Sequence, residues 1–146
     1  LAFGVSEPEY TIAYPWAGKA INATSDVLRS PIAKIACNMK FEDRWTRTNL
    51  RHRVKNWKWD TMLAAHWMDN RRGITSLKFQ AFVHLGISPW NPHLEKFLKS
   101  DSTRTPNKIT QEIEIRDLLI YNGLDSLLEF RVAIKQMQLT GYERPW

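Results

Sequence analysis

Ile32-Ala33-Lys34-Ile35-Ala36-Cys37-Asn38-Met39-Lys40-Phe41-Glu42 is the stretch on which the reading of the chain turns. Residues 32–37 form a short apolar run of strand length. Asn38 suits a strand-to-helix corner, and residues 41–50 then read as a helix. Glu42 therefore sits about one turn into a helix at the end of a strand. A carboxylate in that place has packed neighbours and a head that faces a cleft, so it can hold a metal ion. An ordinary helix start, where acids complement the helix dipole, accounts for it as well.

Toward the N-terminus, Leu1-Ala2-Phe3-Gly4-Val5 is apolar and strand-like. Ser6-Glu7-Pro8-Glu9 reads as a turn, because Pro fixes the backbone and the acids prefer water. Residues 10–14 alternate and read as the second arm of a hairpin. Residues 19–29 form a weak helix, expected to be capped late by Thr24 or Ser25.

Toward the C-terminus, Trp57-Lys58-Trp59 is a short strand. Asp60 caps the helix that follows, 61–69, with Met62 and Leu63 expected in the core. Gly73 breaks that helix. Residues 75–85 form another, with Leu77, Ala81 and Leu85 on one face, and Gly86 closes it. Residues 88–92 are a loop. Residues 101–107, polar with a Pro, are a loop or a mobile insertion. The longest helical stretch is 112–138, with Leu124, Leu127, Leu128 and Ile134 as its apolar side. The order of elements predicts a mixed sheet covered by helices, α/β in class.

The bulk properties agree with one globular domain. The chain has 146 residues and is 43% hydrophobic, enough for a substantial core. Residues 1–140 are expected to form the domain, and 141–146 a linker or the start of a following one. Seven tryptophans need a core or a stacking surface to cover them. The net charge of +6 favours a polyanionic partner, nucleic acid first and an anionic membrane surface second. Cys37 is the single cysteine, so no internal disulfide forms and a reducing compartment is expected. With no bilayer-length apolar run and no signal peptide, the expected location is cytoplasmic, in a cellular or phage-encoded protein. Because the chain opens inside an apolar run without an initiator Met, it is expected to be a fragment.

A second constellation is Tyr121-Asn122-Gly123-Leu124-Asp125. Four residues apart on a helix, Tyr121 and Asp125 share a face. A phenol beside a carboxylate can orient a water on a metal that the carboxylate holds. Gly123 costs about 1 kcal/mol relative to Ala inside a helix, which close approach of a substrate would explain. A buried Tyr and a solvated Asp on a structural helix are the alternative.

Taken together and in order, these segments resemble the DEDD exonucleases, in particular the proofreading domains of family A DNA polymerases and related phage enzymes. Asn38–Glu42 resembles that family's second motif, N-x-K-[FY]-D. Asp60-Thr61-Met62-Leu63 is similar to its D-T-M-L segment, and Gly73-Ile74-Thr75-Ser76-Leu77-Lys78 to its S-L helix. Tyr121 to Asp125 matches the third motif, Y-x-x-x-D, whose Tyr implies the DEDDy subclass. Two features depart from the pattern. Position 42 is Glu where the family usually has Asp. The first motif, D-x-E on the opening strand, is absent, and Glu7-Pro8-Glu9 is no substitute for it. That strand is expected upstream of Leu1.

The resemblance implies an RNase H-like sheet lacking its first, central strand, whose loss leaves neighbouring edges unpaired. It implies two-metal hydrolysis of 3′-terminal phosphodiesters in single-stranded DNA, with RNA as an alternative substrate, and Mg²⁺ or Mn²⁺ as the ions. Asp125 and Glu42 would be metal ligands, and Tyr121 would orient the attacking water. Asn38, Lys40, Arg44 and Gly123 would contact nucleic acid. The missing D-x-E would bridge both ions, so this chain alone is expected to be nearly inactive. A covalently linked or separate polymerase domain would be a partner, and no membrane would be.

Apart from the resemblance, Arg44, Arg47, Arg51, Arg53, Lys55 and Lys58 share an acid-free stretch with Trp45, Trp57 and Trp59. Interleaved bases and aromatics can bind single strands. A solvated face with buried tryptophans is the alternative. The histidines at 52, 66, 84 and 93 lack metal-ligand spacing and read as structural or solvated, and Cys37 reads as core. Beside the enzyme reading stands a second one, a module that kept the fold for binding nucleic acid or for structure and lost the chemistry.

Overall fold

The computed structural model describes residues 2–6, 10–90, 92–94, 97 and 113–144. The expected turn at 7–9 and the loop at 101–107 lie outside the described residues. The molecule is mixed α/β. Its order is β1 (Ala2–Ser6), β2 (Thr11–Pro15), α1 (Lys19–Arg29), β3 (Lys34–Ala36), α2 (Met39–Leu50), β4 (Trp57–Asp60), α3 (Thr61–Met68), α4 (Leu77–Leu85), a 3₁₀ turn (Pro92–Leu94) and α5 (Ile115–Thr140).

The strands form two separate pairs. β1 and β2 are an antiparallel hairpin with Gly4 opposite Ala13. β3 and β4 are parallel, with a register shift between Lys34 and Ile35. A parallel pair needs a crossover, and α2 supplies it. Among the described residues β1 pairs only with β2 and β3 only with β4. Both pairs contact α5, the hairpin far more extensively.

Each helix start and end has a local cause. Asn38 caps α2 from a left-handed backbone (φ 70°), where Asn is tolerated better than most residues, and its side chain accepts from the N–H of Phe41 at 3.4 Å. Ser76 caps α4, and Gly86 and Gly141 end α4 and α5 at positive φ. The α1 helix differs from expectation: Gly18 stands at its N-cap with no side-chain bond. Thr24 is buried, donating to the carbonyl of Ala20 and bonded to Tyr14 Oη, each at 2.8 Å. Ser25 bonds His52 Nε2 at 2.8 Å. Both hydroxyls tie α1 to other elements instead of capping it. At the other end of α1, the buried Lys34 ammonium donates to the carbonyls of Ser30 and Ile32, 2.8 Å each. Burial lowers its pKa.

Asp60 does more than the sequence indicates. One oxygen accepts from the N–H groups of Met62 at 3.0 Å and Leu63 at 3.2 Å, capping α3 as expected. The same oxygen accepts from Asn38 N–H at 3.0 Å, and the other from Met39 N–H at 2.8 Å. One buried carboxylate thus serves the first turns of two helices, where N–H groups lack partners within the helix.

The apolar core centres on Ala81, Trp90, Leu128 and Val132, with Leu77, Leu85, Tyr121 and Leu124 packed against it. The expected face of α4 is therefore the observed one. On α5 Leu128 is buried as expected, whereas Leu127 and Ile134 are half-buried, and the deepest positions are Val132, Ala133, Gln136 and Met137. Gln136 is fully enclosed. It accepts from Trp59 Nε1–H at 2.9 Å and donates to the Thr61 carbonyl and to Gln80 Oε1, both at 3.1 Å. Gln80 in turn donates to the Ile74 carbonyl at 2.7 Å. Leu63, expected in the core, is 51% exposed, and Met62 is half-buried. At the C-terminus, Tyr142 lies against the ring of Trp59, with centroids 5.0 Å apart. The expected linker therefore begins tied to β4.

Replacing Asp60 by Ala is expected to destabilise the fold by about 2–4 kcal/mol, one lost cap for each of two helices. Asp60→Asn, which keeps one accepting oxygen, is expected to cost less. Urea unfolding of the two variants measures the difference.

Candidate functional site

Helix α5 carries the site as a line of residues one turn apart: Tyr121, Asp125 and Glu129. Gly123, on the same helix, is buried. A Cβ there would lie 3.3 Å from Thr11 Cγ2 and 3.6 Å from Ala13 Cβ. The missing side chain lets α5 approach β2, so helix-on-sheet packing, and not the approach of a substrate, occupies that space.

Asp125 is held by its neighbours. Trp90 Nε1–H donates to its Oδ1 at 2.8 Å, and Tyr121 hydrogen-bonds the same carboxyl. The Lys78 ammonium lies 5.5 Å from the Tyr121 ring centre and 5.8 Å from that of Trp90, close enough for cation–π attraction. Burial pushes the Asp125 pKa up to about 6, against the opposing pull of Trp90, Lys78 and Tyr121. The expected pairing of Tyr121 with Asp125 is thus present, and Trp90 and Lys78 join it from α4 and the loop beyond.

Glu129 is the focus of the acids. Thr61 Oγ1–H donates to its Oε1 at 2.6 Å, while Oε2 is buried without a hydrogen-bond partner among the described residues. Burial raises its pKa to about 7. The Thr61 bond opposes this, and the charges of Asp60, Asp125 and Glu42 add to it. The charges of Glu42 on α2 and Asp125 on α5 thus both reach Glu129. Burial also raises the pKa of Glu42. Cys37 adjoins the cluster. Burial and then the Glu129 charge push its thiol up to about 12, against a Thr61 hydrogen bond. At neutral pH it is a thiol rather than a nucleophilic thiolate, which agrees with its reading as core.

The remaining expected residues divide clearly. Asn38 is at the corner between β3 and α2, next to the cluster through Asp60. Lys40 and Arg44 are exposed on α2. In the basic stretch, Arg51, Arg53, Lys55 and Lys58 are exposed and Arg47 pairs with Asp43 at 3.3 Å. The interleaved tryptophans are half-buried. Trp45 meets Trp16 edge-on at 5.2 Å, Trp59 meets Tyr142, and the Trp57 indole N–H is buried without a partner among the described residues. His52 bridges Ser25 and the carbonyl of Arg53, and His84 bonds Gln80. His66 and His93 are exposed. All four are structural or solvated, as expected.

Sequence reasoning missed Glu129, Thr61, Trp90 and Lys78 as parts of the site. For Glu129 a signal existed, since it follows Asp125 by four helical residues. Among the described residues, no group of three or more His, Cys, Asp or Glu side chains is arranged to hold a metal ion. Trp90 and Tyr121 occupy the Asp125 carboxyl, so the acids as they stand do not make a complete ligand set. Among the same residues, no helix is long and apolar enough to cross a membrane. No protein-family model, curated protein or solved structure matches the chain.

A group with a raised folded-state pKa gives stability that is full below its unfolded pKa and lost as pH rises through the folded one. For Glu129 that window runs from its ordinary value near 4.5 up to about 7, and Asp125 acts in the same direction up to about 6. The melting temperature is therefore expected to fall between those limits. Glu129→Gln, neutral at every pH, is expected to reduce the slope. Thermal melts at half-unit pH steps check this.

Proposed function

We propose that residues 1–140 are the larger part of a DEDDy-type 3′–5′ exonuclease domain of the proofreading kind. Its substrate is the 3′ end of single-stranded DNA, with RNA as the alternative. The observation that carries the reading is the ordered set of motif-like segments, of which Glu42 on α2 and Asp125 on α5 both lie near enough to act on Glu129, while Tyr121 bonds Asp125.

The strand pairing supports the same reading. An antiparallel hairpin and a parallel pair, each with an edge unpaired among the described residues, are the flanks that an RNase H-like sheet has on either side of its central strand. In this proposal a D-x-E strand fills that position. Its two carboxylates join Glu42 and Asp125, and together they bind Mg²⁺ or Mn²⁺. Those ions would stabilise charge on the reacting phosphate. Tyr121 and Lys78 would orient and neutralise what approaches Asp125. Exposed Lys40 and Arg44 would meet phosphates near the mouth of the site. A polymerase domain, linked or separate, is the proposed partner.

A catalytically inactive module that binds nucleic acid is the second reading. The hydrogen bond from Trp90 to Asp125 favours it, because it engages a carboxyl that a metal would need. So does Glu in place of Asp at position 42.

Digestion of 5′-labelled single-stranded DNA in Mg²⁺ or Mn²⁺ separates the two. Residues 1–146 alone are expected to leave it intact. With an apolar D-x-E strand fused ahead of Leu1, stepwise 3′ shortening is expected, and Asp125→Ala should reduce it at least about 100-fold. A folded fusion that binds the strand without shortening it would establish the module instead.

A further inference from the structure

Helix α2 carries its positive charge along one side. Lys40, Arg44 and Arg47 recur at i, i+4 and i+7, which places them within about 60° of one another around the helix axis. Arg51 extends the series to the C-cap, and the four residues span about 16 Å along α2. All four are exposed. The segment after α2 is fastened beside them. The Asp43 carboxylate accepts from the N–H of Val54 at 3.2 Å, and the N–H of Lys55 donates to the Leu28 carbonyl at 2.9 Å. Val54 is buried between exposed Arg53 and Lys55, so these two cations lie on the outside next to the turn of α2 that holds Asp43 and Arg47. Arg47 pairs with Asp43 at 3.3 Å. The other five cations form no ion pair among the described residues.

Two of these positions are unfavourable for the fold itself. Lys40 stands in the first turn of α2, where the helix dipole disfavours a cation. Arg51 holds a left-handed backbone at φ 60° and ψ 23°, where a Cβ is strained. Helices α4 and α5 end in the same conformation and use Gly86 and Gly141 there. Neither the Lys40 nor the Arg51 side chain has a hydrogen bond or ion pair among the described residues to offset this. Like charges one turn apart also repel one another. A row of unpaired cations at such positions suits a polyanion from outside the chain. Beside the row, the exposed residues of α2 are Thr48, Asn49 and one aromatic, Phe41. The wide apolar face with which an interfacial helix enters a membrane is therefore lacking, and a chain of phosphates fits the narrow line of charge.

We infer that the outer side of α2, together with Arg53 and Lys55, is a track that binds the phosphates of single-stranded nucleic acid. The track starts at Lys40, in the turn of α2 that also carries Glu42, and runs the length of the helix. The inference deepens the proposed function by giving the strand a path, and it rests on that reading for its choice of nucleic acid as the polyanion. It requires neither metal ions nor hydrolysis.

The test titrates the chain into a dye-labelled single-stranded DNA of about 12 nucleotides, without divalent ions, and follows fluorescence anisotropy at several salt concentrations. Arg44→Ala and Arg51→Ala should each weaken binding about 3-fold or more at low salt. Each should also flatten the plot of log K against log salt by about 0.7, the share of one phosphate contact on a single strand. Arg51→Lys, which keeps the charge, should bind nearly as the parent does. Arg51→Gly should weaken binding as Arg51→Ala does while raising the melting temperature, because glycine relieves the left-handed backbone. A more stable variant that binds less well excludes damage to the fold as the cause. Arg71→Ala, which removes a cation already paired with Asp69, should leave binding unchanged. Parent-like binding by Arg44→Ala and Arg51→Gly would overturn the inference, as would tighter binding of a duplex of the same length. Displacement of the DNA by vesicles of phosphatidylcholine and phosphatidylserine, lost on Arg51→Gly, would overturn it in favour of a membrane surface. The two readings fail separately: a D-x-E fusion that binds through these residues without shortening the strand supports the track and removes the exonuclease.

Discussion

The carboxylate of Asp60 sits at the end of β4 and accepts from backbone N–H groups at the starts of both α2 and α3. Because these helices follow the two strands of the parallel pair, one side chain locks the strand ends and the helix entries into a single corner. Negative charge is well placed there, where two helix N-termini converge. The corner also sets the direction in which α2 leaves, and so where Glu42 points. The candidate site is downstream of this contact.

Buried amides place a second constraint on the fold. Gln136 and Gln80 connect α5, α4, the start of α3 and the indole of Trp59. Such a set of bonds is demanding, since each enclosed polar atom needs a partner. In return it fixes helix rotation, which apolar contacts alone leave adjustable. The consequence reaches the surface. With Gln80 turned inward, α4 leaves Phe79, Phe82 and Val83 exposed.

The acid cluster joins these two frames. Asp125 is engaged by Trp90 and Tyr121 near the apolar core, and Glu129 by Thr61 beside the Asp60 corner. Several carboxyls crowded into a partly buried place cannot all ionise at little cost. Burial raises the pKa values of Glu42, Asp125 and Glu129, and at Glu129 the charges of neighbouring acids add to it.

Local pattern alone determined much of the chain. The hydrophobic run before Asn38, the cap at Asp60, the stop at Gly86 and the long helix through Tyr121 and Asp125 were all legible, because strands, caps and helices depend on residues a few positions apart. The i, i+4 relation of Tyr121 and Asp125 was legible for the same reason. What the tertiary structure decided were the partners distant in sequence. Asp60 reaches back to Asn38, Glu129 meets Thr61, Trp90 meets Asp125, and Gly123 meets β2. Thr24 was misread as a cap because its partner Tyr14 comes from another element, and Leu63 as core because local pattern does not say which face of a helix is covered. The buried bonds of Gln80 and Gln136 settled that, and those bonds form only when helices remote in the chain come together.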